Sequence, residues 1–186
     1  IFQVVSRLST GGLFQATNKY TAEVDAEGRG QILAGSLALS MIYSIVTGGA
    51  ILGLIWWFGP VGFGESIFAY IAVLVVLVRN PFVVIRGFLY GAHEERFSQG
   101  LLVFWKGLYT MGALAVAYAG FGVVSIFVVY VVSYLLAVIS GLGWGYRLVK
   151  SKISSLSFDS ETTRQVGQFG GTTLVGFMSA LLLYKT

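Results

Sequence analysis

Two arginines stand inside apolar runs of this sequence, at positions where an unpaired charge is expensive. Arg7 lies twelve residues before Lys19, and Arg79 lies twelve before Gly91. At a helical rise of about 1.5 Å per residue, each sits roughly 18 Å in from its helix end. A guanidinium stays charged at any physiological pH, and its planar fork grips phosphate or carboxylate with two parallel hydrogen bonds. A central arginine facing lipid costs roughly 2.5–3.5 kcal/mol on the insertion scale. The eight carboxylates, Glu23, Asp25, Glu27, Glu65, Glu94, Glu95, Asp159 and Glu161, all fall in or beside loops. With no acid at mid-depth to neutralise them, Arg7 and Arg79 are expected to face a watery cavity that binds an anion.

Their neighbours on a helical wheel support that expectation. At about 100° per residue, Gln3, Ser6, Arg7, Thr10, Thr17 and Asn18 share a sector of about 120°, interrupted by Phe14. Further along, Arg79, Arg86 and His93 recur every seven residues, joined on that face by Phe82 and Tyr90. Pro81, beside Arg79, is expected to free a backbone carbonyl and kink the helix. The candidate anion site is therefore Arg79, Arg7 and Arg86, and the candidate cavity lining is Gln3, Thr10, Phe14, Asn18, Phe82 and Tyr90. The basic residues have plainer alternatives. Arg79 suits an acid on another helix, Arg7 and Lys106 suit snorkelling to a surface, Arg86 suits a membrane anchor, and His93 suits a solvated loop.

Bond-making chemistry finds no support. The chain has no cysteine, which removes thiolate catalysis, disulfides and zinc–sulfur sites. There is no phosphate-cradling loop, no histidine pair at metal spacing and no nucleophile elbow. Gly141-x-Gly143-x-Gly145 is not a dinucleotide motif, because no strand precedes it and its third spacing is wrong. No catalytic residue, metal or cofactor is expected, and the chain is not expected to be an enzyme.

The elements that must hold these residues are membrane helices. Hydrophobic residues make up 56% of the chain and charged ones 11%, and the mean hydropathy is +0.81. Soluble domains sit near a quarter charged. Six apolar segments run roughly 1–18, 31–58, 66–91, 99–119, 121–146 and 164–184, too long and too little alternating for barrel strands. The expected fold is an all-α polytopic transmembrane bundle of about six spans, with residues 1–186 as one bundle. The basic loops 19–30, 86–98 and 147–164 alternate with loops 59–65 and 119–122, which lack Lys and Arg. The positive-inside rule then makes the basic loops cytoplasmic and starts the chain outside. It also absorbs the net charge of +4, so no nucleic-acid partner is expected. Trp56, Trp57 and Phe58 suit the outer interface. Gly49/Gly53, Gly87/Gly91, Gly141/Gly145 and Gly167/Gly171 have the spacing of close helix contacts.

Several stretches resemble the polysaccharide and oligosaccharide flippases of the multidrug/oligosaccharidyl-lipid/polysaccharide exporter superfamily. They are Ser9-Thr10-Gly11-Gly12-Leu13-Phe14-Gln15-Ala16 with the following Lys19–Glu23 and Asp25–Gly28, and Arg86-Gly87-Phe88-Leu89-Tyr90-Gly91-Ala92-His93-Glu94-Glu95-Arg96. Gly120-Phe121-Gly122-Val123 and Arg164-Gln165-Val166-Gly167-Gln168-Phe169-Gly170 complete the set. The likeness is nearest to Wzx-type repeat-unit translocases, with MurJ-type flippases more distant. It implies that these spans are the second to seventh of a two-bundle protein of twelve to fourteen, the remaining bundle lying outside this chain. It implies a cell-membrane transporter, acting as a monomer by alternating access, that carries a lipid-linked saccharide with a phosphate or pyrophosphate head group. Arg7 and Arg79 would be this sequence's head-group arginines. A cation-coupled multidrug antiporter of the same fold is the alternative, for which these segments offer no embedded carboxylate.

Overall fold

A computed structural model describes residues 12–25, 28–58, 63–150 and 160–183. These residues form six helices: α1 (Leu13–Glu23), α2 (Arg29–Phe58), α3 (Phe63–Gly91), α4 (Glu95–Tyr118), α5 (Val123–Lys150) and α6 (Ser160–Leu183). No strand is present among the described residues. Four stretches are long and apolar enough to cross a membrane: Arg29–Gly53, Tyr70–Gly91, Glu95–Tyr118 and Val123–Lys150. Four of the six expected segments thus coincide with such stretches. Residues 1–11, with Gln3, Arg7 and Thr10, lie outside the described residues.

Helix ends differ from the apolar segments where polar residues extend a helix. α1 continues past residue 18 to Glu23, because Thr21 is fully buried and Lys19 pairs with Glu23 one turn on, at 3.9 Å. α4 begins at Glu95, its acid lying in the first turn, where the helix dipole favours negative charge. α5 runs on to Lys150 with Arg147 and Lys150 in its last turn, which the same dipole favours. α6 opens on Ser160 with Glu161 in its first turn, and Arg164 donates to that carboxylate at 3.0 Å. α3 passes through Pro81 as one continuous helix.

α3 is the central helix, with a packed core on each side. One core joins Phe82, Ile85, Phe88 and Leu89 of α3 to Leu101 of α4 and Tyr134, Ala137 and Val149 of α5. The other joins Val84 to Leu13 and Ala16 of α1, Ile32 of α2 and Val166 of α6. Lipid tails are as apolar as these side chains, so cohesion rests on close packing and buried hydrogen bonds. Two of the four glycine pairs supply close packing. A Cβ at Gly87 would lie 2.7 Å from the Phe14 carbonyl oxygen, and one at Gly91 would collide with the Asn18 carbonyl. A Cβ at Gly141 would lie 2.7 Å from Ile85, and one at Gly145 3.7 Å from Phe88. A Cβ at Gly167 would make ordinary contact with Leu39, whereas Gly49, Gly53 and Gly171 meet open space. Between α2 and α3 the contact is polar. Asn80, 1% exposed, donates to Ser44 Oγ at 3.0 Å, and that hydroxyl donates to the Ser40 carbonyl at 2.7 Å.

The outer surface of the bundle is apolar. Met41, Ile42, Ile45 and Val46 of α2, Val103, Met111 and Leu114 of α4, and Val132, Leu136 and Ile139 of α5 are all exposed. Trp56, Trp57, Tyr118 and Phe121 are exposed at the bundle end opposite the basic helix ends, as interfacial aromatics should be.

Two turns close α3 and α4 in the same way. After α4, Phe121 N–H donates to the Val116 carbonyl and Gly120 N–H to the Ala117 carbonyl, both at 3.1 Å. Gly120 there is left-handed, at φ 75. After α3, Glu94 N–H donates to Leu89 at 2.8 Å and His93 N–H to Tyr90 at 3.1 Å. His93 fills the left-handed position, at φ 64, that glycine ordinarily takes. It is exposed and has left the helix, so the seven-residue stripe ends at Arg86. His93→Gly is expected to stabilise the bundle by about 1 kcal/mol through relief of left-handed strain, read as a higher thermal midpoint in detergent.

Candidate functional site

α3 carries both described site arginines on one face, with Phe82 between them. Arg79 and Arg86 are two turns apart, roughly 10.5 Å along the helix. Both are partly buried. Arg86 sits between two rings, its guanidinium carbon 5.9 Å from the centroid of Phe14 on α1 and 5.9 Å from that of Phe82. Its Nε donates to the Ser98 carbonyl at 3.3 Å, and Ser98 Oγ returns a bond to the Arg86 carbonyl at 3.2 Å. Arg86 therefore clasps α3 to the start of α4 and stacks on aromatic faces, an arrangement that suits a guanidinium better than an ammonium.

Tyr90 extends this group. It meets Phe14 edge-on with centroids 5.9 Å apart and accepts a hydrogen bond from Gln99 Nε2 at 2.6 Å. Of the expected cavity lining, Phe14, Asn18 and Tyr90 are partly exposed and cluster around Arg86 and the α1–α3 contact. Phe82 does not line an open space. It is 3% exposed and packs edge-on against Tyr134, centroids 5.2 Å apart, because the α3 face between the arginines is the one that meets α4 and α5.

Arg79 turns toward α5. Its guanidinium neighbours the Tyr134 phenol, and the Tyr134 ring meets that of Tyr130 edge-on, centroids 5.1 Å apart. Around this pair Trp105 lies 4.3 Å from Tyr134, and Tyr109 lies 5.1 Å from Tyr130, centroid to centroid. Tyr130 and Tyr109 also border a cavity of about 290 Å³ between α3, α4 and α5, completed by Ile71, Ala72, Val75, Ile126 and Phe127. The cavity lies toward the Tyr118 and Val123 ends, one helical turn from Arg79. The arrangement offers a cation near mid-depth, two phenols leading from it and an apolar pocket lined with rings. It suits an amphipathic anion.

Tyr134, Tyr130, Trp105, Tyr109 and Asn80 were not among the residues expected at the site. Their signal was present: Tyr130/Tyr134 and Trp105/Tyr109 are four apart on their helices, and so share a face. Asn80 is a polar residue at mid-depth beside Arg79, a position that itself marks function or helix contact. Comparison of the chain with protein families, with characterised proteins and with solved structures finds no match.

Proposed function

We propose that this chain is the greater part of one bundle of a membrane flippase that moves a lipid-linked saccharide, by its phosphate or pyrophosphate head, across the cell membrane. The observation that carries the reading is Arg79, a partly buried guanidinium twelve residues from the end of a membrane-length helix. A charge there is tolerated only beside protein polar groups, water or a counter-ion. Its phenol partners and the adjoining ring-lined pocket supply a surface on which an anionic head and its apolar lipid are both at home. In this reading the segment 1–18 and α6 complete a six-span set with the basic helix ends in the cytoplasm. A second bundle closes the cavity, and alternating access carries the cargo outward.

Arg86 guides the head group at the cytoplasmic side, where Phe14 and Tyr90 offer rings for a sugar to stack on. Arg7, on the preceding polar stripe, is the second head-group arginine of the proposal.

The test is Arg79→Ala and Arg7→Ala in the intact protein, scored for surface polysaccharide at matched expression. A hydrogen bond to a charged group contributes about 1.5–3 kcal/mol, so each variant should lower export roughly tenfold or more. Arg79→Lys keeps the charge without the fork and should fall between. Full export in both alanine variants removes the anion site.

A further inference from the structure

α4 has a second exposed face, unlike the rest of the bundle surface. Arg96, Gln99, Lys106 and Thr110 are all exposed and fall within about 80° of one another at about 100° per residue. Val103, 70% exposed, and Leu114, 66% exposed, are the large apolar members of that stripe, one between Gln99 and Lys106 and the other beyond Thr110. On α5 the exposed positions Val128, Val132, Leu136 and Ile139 are uniformly apolar, as a lipid-facing side should be.

Lys106 decides what the α4 stripe meets. It lies eleven residues beyond Glu95 in a 24-residue span, hence about 16 Å from the basic end and close to the middle. Had α4 begun near residue 99, Lys106 would stand about two turns in and snorkel. With the helix starting at Glu95, it stands near the middle of α4, where a lysine is better accommodated by water or an anion than by lipid. Ion pairs among the described residues are Lys19–Glu23 and Glu161–Arg164, so no described acid pairs with it. The stripe is also continuous with the site. Gln99 binds Tyr90, which meets Phe14, whose ring lies under Arg86.

We propose that the Arg96–Gln99–Lys106–Thr110 face of α4 lines an aqueous route for anions, with Lys106 as its mid-membrane cation. The inference deepens the flippase reading by adding a station for the anionic head group. The existence of a watery, anion-selective face stands independently of any particular cargo.

The chain has no cysteine, so thiols introduced singly report on their own surroundings. In membranes carrying the intact protein, Lys106→Cys and Thr110→Cys should react with an anionic, membrane-impermeant methanethiosulfonate. Ile139→Cys on the apolar face of α5 should react only after unfolding in detergent. Lys106 and Thr110 are one turn apart, about 5–6 Å between Cβ atoms. At that range one positive charge in water should favour an anionic over a cationic reagent at Thr110→Cys roughly tenfold. Adding Lys106→Gln should abolish that preference. If both thiols are as inert as Ile139→Cys, the face meets lipid and the proposal fails. If they react without charge preference, the route is aqueous and its anion selectivity is overturned. None of these readouts needs a lipid-linked saccharide, so they separate this proposal from the outcome at Arg79.

Discussion

Gly91→Ala is expected to loosen the whole α1–α3 contact, lowering stability by about 1–3 kcal/mol through overpacking. The added methyl would meet the Asn18 carbonyl and lie 2.7 Å from Thr21 Cβ. Neither neighbour is the far end of a flexible side chain, so α1 must move as a unit. Ala is also a better helix former than Gly by roughly 0.8–1 kcal/mol, so the measured loss understates the packing penalty. Gly49→Ala, whose Cβ meets open space, should be neutral or mildly stabilising by the same propensity difference. Both are read from thermal unfolding followed by tryptophan fluorescence in detergent. Equal midpoints for the two variants would show that the α1–α3 approach is looser than described.

Those two glycines also mark where sequence reasoning reached its limit. Gly49/Gly53 and Gly87/Gly91 have identical spacing, and spacing states only that a close approach is permitted. Whether a helix takes up the offer depends on which face the rest of the bundle presses, which is a tertiary property. The helices themselves were legible, because a run of some twenty apolar residues has few other solutions in a bilayer. Their polar ends were less so. Thr21 and Lys19 read as loop by composition, yet α1 continues through them because Thr21 has a glycine groove to fill.

The site was legible in part for the same reason. A wheel drawn around α3 placed Arg79, Phe82, Arg86 and Tyr90 together, and the structure keeps them on one face. It could not say that the middle of this face is sealed by α4 and α5 while its lower end opens toward α1. Nor did hydropathy reveal that Arg79 would meet a phenol on α5, because the Tyr130/Tyr134 pair reads as ordinary apolar surface until α5 is docked. Lys106 reads as near a helix end when the apolar segment is taken to begin at 99, whereas α4 begins at Glu95 and places it near the middle of the helix.

Phe82 converts that difference into the second large effect. Were it a wall of the proposed cavity, its loss would impair the proposed transport and leave the fold intact. As core it should do the reverse. Phe82→Ala is expected to cost about 3–5 kcal/mol, the range for aromatic truncation in a packed interior. The ring is 3% exposed, meets Tyr134 at 5.2 Å and Trp105 at 6.1 Å between centroids, and lies under the Arg86 guanidinium. Lipid cannot enter a gap that small, so the lost contacts have no replacement. The Arg86 charge would lose one of its two ring partners, while its bond to Ser98 remains. Phe82→Leu, which keeps most of the volume, should recover more than half of the loss. The comparison is made on thermal midpoints in detergent, alongside the yield of folded protein in the membrane. A Phe82→Ala protein with an unchanged midpoint and lost transport would return this ring to the cavity wall. It would then require α4 and α5 to stand further from α3 than they do here.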